Sequence, residues 1–373
     1  MLADLEYSQD NFPSIILNDG SINTLQQAHA WINTNQVALK RELACTGALL
    51  FRGFPVSDAV SYDRFFSAFG YNNFTYKESL SNAVRINYTD QVFSANEAPK
   101  DMEIFLHSEM AQTPVFPNII SLFCEKAADI GGATILCRSD TLYNKLAIAE
   151  PQWLEKLAKE GIKYTNSMPN GDNPDSAQGR GWQSTLSVTS REQAENKLLN
   201  LGYKWQWHAD GSLSAQTRVL PAIRAVDSGR QVFFNQIIAA YQGWQGVKEN
   251  PSVGICFGDD SAIPRHFLDK ICEIAADTAY DLMWQDGDVA VSLMSWFLFK
   301  PIVVSLILAT ILIWSLSSDI CGFKICSLAN SGKLFLPKVN KNPLGVFPLF
   351  DFLRICMNVS IDKTFPMLGI PSR

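Results

Sequence analysis

Apolar residues fall into two rhythms along most of the chain, one helical and one strand-like. Over 24–40, Leu25, Ala28, Ile32 and Val37 recur at helical spacing after an Asp19-Gly20 turn signal, with Ser21 placed to cap. Val60, Tyr62, Phe65, Phe66 and Phe69 mark the apolar side of an amphipathic helix over 57–69. Further helices are predicted over 139–157, as a pair joined at Pro151, over 192–201, and over 264–278 behind a capping turn at 258–261. Residues 47–54, GALLFRGF, read as a buried strand with Arg52 as an ion-pair partner, and 119–124 read as another after turn signals at Pro114 and Pro117. Residues 84–88 and 203–207 are short strands, 221–226 and 230–235 a hairpin about Asp227-Ser228-Gly229, and 281–291 the start of the last core strand. The stretch 166–184 is dense in Gly, Pro, Asn, Asp and Ser, a surface loop of the length that forms lids.

Composition narrows the class. At 373 residues, 47% hydrophobic and 18% charged, the chain has apolar material for a substantial core. A formal charge of −6 gives nucleic-acid binding no electrostatic support. Eight cysteines lie scattered, with no CxxC pair, which suits reduced, buried thiols. The first sixteen residues lack a basic-then-apolar leader pattern, so a cytoplasmic protein is expected.

The chemistry-bearing residues lie just before the 119–124 strand. His107 and Glu109 are two positions apart, and in extended backbone such residues share a face, so both side chains can converge on one ion. A facial two-His, one-carboxylate Fe(II) site uses such a pair and leaves positions open for an oxidant and a co-substrate. Spacing alone favours the blander reading, a surface hydrogen bond. His208-Ala209-Asp210 repeats the spacing but precedes Gly211, as a polar hairpin turn would, and His266 beside Arg265 and Asp269 reads as a solvated helix face.

The surrounding words shift that balance. His107-Ser108-Glu109-Met110, Phe116-Pro117, Phe123-Cys124 and Gly131-Gly132-Ala133-Thr134 together resemble the TauD/TfdA family of Fe(II)/2-oxoglutarate-dependent dioxygenases, nearest its clavaminate synthase-like branch. The resemblance runs over about residues 40–291, with further matches at Gly179-Arg180-Gly181-Trp182-Gln183 and Phe233-Phe234-Asn235-Gln236. It implies an α+β, mainly β fold: a double-stranded β-helix, the cupin-like jelly roll, with flanking helices. It further implies His107 and Glu109 as iron ligands and Thr134 as the hydroxyl partner of the 2-oxoglutarate carboxylate. O2 and a small-molecule substrate complete the expected partners, with Arg85, Asn87 and Tyr88 in the cover of the substrate pocket.

After Val291 the resemblance stops. The family's second His ligand and the Arg that pairs 2-oxoglutarate do not arrive, since the histidines are at 29, 107, 208 and 266. Asp288 or a cysteine is left to complete a metal sphere. Residues 292–373 contain no Glu, Gln, His or Tyr, a change of alphabet that separates a 1–291 domain from an atypical tail. Within the tail, 301–318 is an uncharged apolar run near the ~20 residues that span a bilayer. Residues 319–373 carry seven Lys/Arg against three Asp/Glu, which would hold that end on the cytosolic side and put the enzyme-like domain outside without a signal sequence, so the flanks favour buried or non-native apolar sequence over a span. Three readings follow: an active dioxygenase, a family member impaired by its missing ligands, and a protein anchored through its tail. Loss of the final strands predicts unpaired sheet edges and low stability.

Val291-Ser292 is what an in-frame GTAAGT splice donor encodes. Sequencing cDNA across codon 291 is therefore expected to reveal a spliced message without the tail. A cDNA that runs straight through in every clone overturns the intron origin.

Overall fold

The computed structural model describes residues 12–71, 80, 85–95, 103–172, 180–226, 229–300 and 306–316, with backbone alone for 296, 297, 299, 300 and 306–316. The chain divides into Met1–Phe323 and Lys324–Arg373, and every described residue lies in the first unit. In chain order the first half runs β1 (Ser14–Leu17), α1 (Leu25–Thr46), β2 (Ala48–Arg52), α2 (Ala59–Ser67), β3 (Phe93–Ser94), β4 (Val115–Lys126), β5 (Thr134–Arg138), α3 (Ser139–Ala149) and α4 (Pro151–Glu160). It continues through β6 (Ile162–Met168), α5 (Trp182–Leu186), α6 (Arg191–Asn200), β7 (Lys204–Trp207), β8 (Leu213–Gln216), β9 (Ile223–Ala225), β10 (Gln231–Phe233) and α7 (Ile237–Gly243). Last come β11 (Ile255–Phe257), α8 (Arg265–Thr278), β12 (Ala279–Leu282), β13 (Val289–Leu293), β14 (Phe297–Lys300) and β15 (Leu306–Leu316).

The strands form a six-stranded sheet ordered β1-β2-β13-β4-β15-β3, a four-stranded sheet β11-β6-β8-β7, a three-stranded sheet β12-β5-β14 and the hairpin β9-β10. The hairpin and the helical pair α3-α4 fall where the hydrophobic rhythm puts them.

Helix α1 is capped by Thr24 and not by Ser21, because Thr24 and Gln27 close a reciprocal capping box that satisfies two orphan donors. It runs past Lys40 until Gly47 takes the left-handed conformation at φ 83° and returns its N–H to the Leu43 carbonyl. Ala28, Ile32, Leu39 and Leu43 are buried along one face. On α2, Tyr62, Phe65 and Phe66 are buried against Phe51, Phe54 and Phe123, whereas Val60, expected on that face, is exposed. Helix α8 has no side-chain cap, because Pro264 holds its N-cap position and offers no side-chain acceptor; Asp259, in the turn read as a cap, binds Ser261 and Lys156. Pro117, read as a turn signal, lies inside β4.

Strand β13 is the keystone of the large sheet, antiparallel to β2 on one side and to β4 on the other. Its entry is fixed by Arg52, whose Nε reaches both Asp288 oxygens at 3.0 and 3.2 Å and whose Nη2 reaches Oδ2 at 2.7 Å. Asp288 is fully buried, and the same Oδ2 accepts the Gln285 N–H at 2.8 Å.

One expectation for the tail, the open sheet edges, is corrected, and the membrane span that the flanking charges disfavour gains no support. Residues 306–316 form β15, which pairs with β4 from Leu306↔Lys126 to Leu316↔Val115, and β14 pairs with β5, so those edges are not left open. The apolar run that reads as a span is thus largely strand, in keeping with its β-branched Ile307, Thr310, Ile311 and Ile313. Among the described residues no helix is long and apolar enough to cross a membrane. The five described cysteines are free thiols, with Cys124 on β4 and Cys137 on β5 fully buried.

Removing one partner of a buried pair strands the other charge, which typically costs about 3–5 kcal/mol. Arg52→Met is expected to lose about 3 kcal/mol in urea unfolding, and adding Asp288→Asn to recover more than half of it. An Arg52→Met chain as stable as the parent would show that the pair does not hold β13.

Candidate metal centre

The segment leading into β4 is extended up to Ser108 and then turns. The Ser108 carbonyl accepts the Ala111 N–H at 3.1 Å, and the Met110 carbonyl accepts the Thr113 N–H at 2.9 Å. Thr113 Oγ1 also donates to the Met110 carbonyl at 3.0 Å and bonds the Val115 carbonyl, tying the turn to the start of β4. Met110 sits at φ 57°, a left-handed conformation that costs a residue with a Cβ about 1–2 kcal/mol. Burial holds it there: Met110 is 1% exposed, in the apolar cluster that contains Phe116, Phe234 and Trp284. The pair therefore spans the entry to a strained turn and not a regular strand, which periodicity could not show.

Within this turn His107 Nε2 stands 3.6 Å from Glu109 Oε2. His107 Nδ1 lies 2.7 Å from the Phe105 carbonyl, an oxygen that can only accept, so Nδ1 carries the proton. In the neutral ring Nε2 then presents a lone pair toward a carboxylate oxygen. Two such acceptors face each other favourably only with a cation or proton between them. Two donors each about 2.1 Å from one ion stand at most about 4.2 Å apart, so the spacing suits shared coordination. Burial pushes the Glu109 carboxyl pKa up, but a hydrogen bond from His107 and the charges of Arg85 and His107 outweigh it and bring the value below the ordinary carboxylate range; the His107 share needs a proton on Nε2, in the place a metal ion would take. The carboxylate is thus ionised and ready to bind a cation.

Thr134 opens β5 behind Gly131 and Gly132, both at positive φ, and is fully buried. Its Oγ1 accepts the indole N–H of Trp284 at 2.9 Å, leaving its own proton to be donated. Of the three residues expected in the pocket cover, Arg85 reaches Glu109 through its charge, whereas Asn87 and Tyr88 are exposed. Most of the 71–100 cover, and 173–179 of the lid, lie outside the described residues. A hollow of about 650 Å³ is bordered by Phe105, Leu106 and Ile135, the chain neighbours of His107 and Thr134, but by none of the three site residues.

The other histidines are placed elsewhere. His29 on α1 accepts from Asn33 at 3.0 Å, His208 bonds Ser214 at 2.7 Å at the β7-β8 turn, and His266 on α8 meets the Trp153 ring. Asp288, a candidate third ligand, is consumed by Arg52. Among the described residues no group of three or more His, Cys, Asp or Glu side chains could hold a metal ion. The donors present fit Fe(II) as a two-point ligand and do not complete a facial triad.

The model of the taurine catabolism dioxygenase TauD, TfdA family matches residues 22–292, nearly three quarters of the chain. The chain belongs to the TauD/TfdA family. A clavaminate synthase-like protein of Arabidopsis thaliana is 34% identical over 259 residues, covering 69% of this chain and 78% of that protein. The dapdiamide synthesis protein DdaC of Enterobacter agglomerans is 22% identical over 258 residues, covering 66% and 75%. Among solved structures, a taurine dioxygenase from Burkholderia xenovorans aligns with a TM-score of 0.42 at 12% identity, covering 75% of this chain and 80% of that one. The TauD/TfdA match begins close to α1 and ends inside β13.

Three residues around the site escaped the sequence: Trp284, Met110 and Gln236, whose Nε2 donates to the Ser108 carbonyl at 3.2 Å. Met110 and Gln236 stand within words that resemble the TauD/TfdA pattern, but the contacts of Trp284 and Gln236 span 150 and 128 positions, beyond the reach of local spacing.

A carboxylate with a depressed pKa stabilises the fold fully above its unfolded value, about 4.3, and loses that contribution as pH falls through the folded value. Glu109→Gln is accordingly expected to be less stable than the parent at pH 7, with the gap closing below about pH 4. Urea unfolding at the two pH values checks this; a gap that persists in acid shows that the carboxylate charge is not its source.

Proposed function

We propose that the chain binds Fe(II) through His107 and Glu109 and, with 2-oxoglutarate and O2, oxidises a small organic molecule inside a double-stranded β-helix. The observation that carries this reading is the pair itself: two donors 3.6 Å apart, one held in the correct tautomer by the Phe105 carbonyl and the other ionised. Membership of the taurine catabolism dioxygenase TauD, TfdA family and likeness to a clavaminate synthase-like protein support the same chemistry.

When bound, iron and 2-oxoglutarate supply the oxidising power, with succinate and CO2 as the co-products. The protein's part is geometry and charge. Phe105 orients the imidazole, and Arg85 helps keep Glu109 ionised. Thr134, aligned by Trp284, would donate a hydrogen bond from its hydroxyl to a 2-oxoglutarate carboxylate. No charge pattern favours nucleic acid as a partner, and the cytoplasm is the location proposed.

A second reading rests on the donor count. No histidine follows Val291, the family's 2-oxoglutarate-binding Arg has no matching position, and the family match ends at residue 292. On this reading the chain keeps the fold, binds iron weakly and turns over slowly, with 292–373 a replacement for the family's closing segment.

Anaerobic Fe(II) titration and succinate formation from 2-oxoglutarate separate these readings. His107→Ala is expected to lower iron affinity at least tenfold and to abolish any succinate formed; unchanged iron occupancy overturns the proposal. Iron binding without succinate selects the impaired form.

A further inference from the structure

We infer that Gln236 is the positioning residue of the metal pair, a role that rests on the reading of His107 and Glu109 as ligands. Gln236 sits just before α7, where a polar side chain ordinarily caps its own helix, yet it makes no such cap. Its side chain instead crosses to the Ser108 carbonyl at 3.2 Å. That carbonyl belongs to the peptide unit joining Ser108 to Glu109. Rotation of this unit swings the Glu109 carboxylate relative to His107.

The oxygen is held from two sides, by Gln236 Nε2 and by the Ala111 N–H at 3.1 Å. The clamp is itself anchored. The Gln236 N–H donates to Tyr164 Oη at 2.9 Å, from a tyrosine that is 1% exposed on β6. Asn235 fastens the same loop by donating to the Ala222 carbonyl at 3.0 Å and accepting the Ile237 N–H at 2.9 Å. Two neighbouring buried amides thus divide the work: Asn235 holds the loop, and Gln236 holds the ligand turn. The left-handed Met110 makes the clamp consequential, because a turn poised in a costly conformation relaxes once its restraint is removed.

The experiment compares the full chain with Gln236→Met, which keeps the length of the side chain and removes its donor, and with Asn235→Ala, which weakens the same loop elsewhere. Each is titrated with Co(II), read by the visible spectrum of the bound ion, and followed without metal by hydrogen exchange at the Ala111 amide. Gln236→Met is expected to raise the Co(II) dissociation constant about tenfold, to shift the Co(II) bands and to speed Ala111 exchange. Asn235→Ala, which loosens the loop that carries the clamp but leaves its donor, is expected to lower the melting temperature and to weaken Co(II) binding less than Gln236→Met does. A Gln236→Met chain that matches the parent in affinity and spectrum overturns the inference, as does an equal weakening by both variants. A parent that takes up no Co(II) sinks the metal reading, and this role with it.

Discussion

The bidentate contact between Arg52 and Asp288 is the constraint on which the rest of the described architecture turns. It joins the end of β2 to the entry of β13, the strand between β2 and β4. Its reach goes further, since Asp288 also receives the Gln285 N–H and so closes the turn that follows Trp284. Trp284 in turn meets the Thr134 hydroxyl at the head of β5. An ordered line therefore runs from an ion pair at one end of a sheet to a hydroxyl near the ligand turn. Asp288, Trp284 and Thr134 along it are buried, where directional contacts have little water to replace them.

The same pair explains why Asp288 is not a ligand. A carboxylate whose oxygens are occupied by a guanidinium and a backbone N–H would have to exchange both for a cation in a site sealed from solvent. Glu109, 3.6 Å from the His107 imidazole, is the carboxyl proposed for the role instead. Ligand choice here follows from which acid has already been neutralised by the fold.

Local rhythm carried much of the architecture. The helical pair broken at Pro151, the hairpin across 227–229 and the buried GALLFRGF strand are legible because each depends on neighbours within a few positions. The start of α1 was legible, but its cap was assigned to Ser21 for want of attention to Gln27, whose reach back to Thr24 was written in the sequence. The metal pair was legible as a spacing, but its turn was not: nothing in Met110 announces a left-handed backbone. Gln236 and Trp284 were invisible in role, because their partners lie more than a hundred positions away. The pairing of β15 along β4 was missed for another reason. A long apolar run reads equally as a span or as a buried strand, and only a sheet edge with room for it decides between them.

The buried thiols bear on how such a molecule would survive its own chemistry. Burial pushes the Cys124 and Cys137 pKa values up to about 12, so both remain protonated at neutral pH. Attack on peroxide requires a thiolate, and these two cysteines withhold it on β4, the strand that follows the His107–Glu109 turn, and on β5, the strand that Thr134 opens. Misfired turnover would then fall on exposed methionines or on the ligands themselves before it reached the sulfur in the interior.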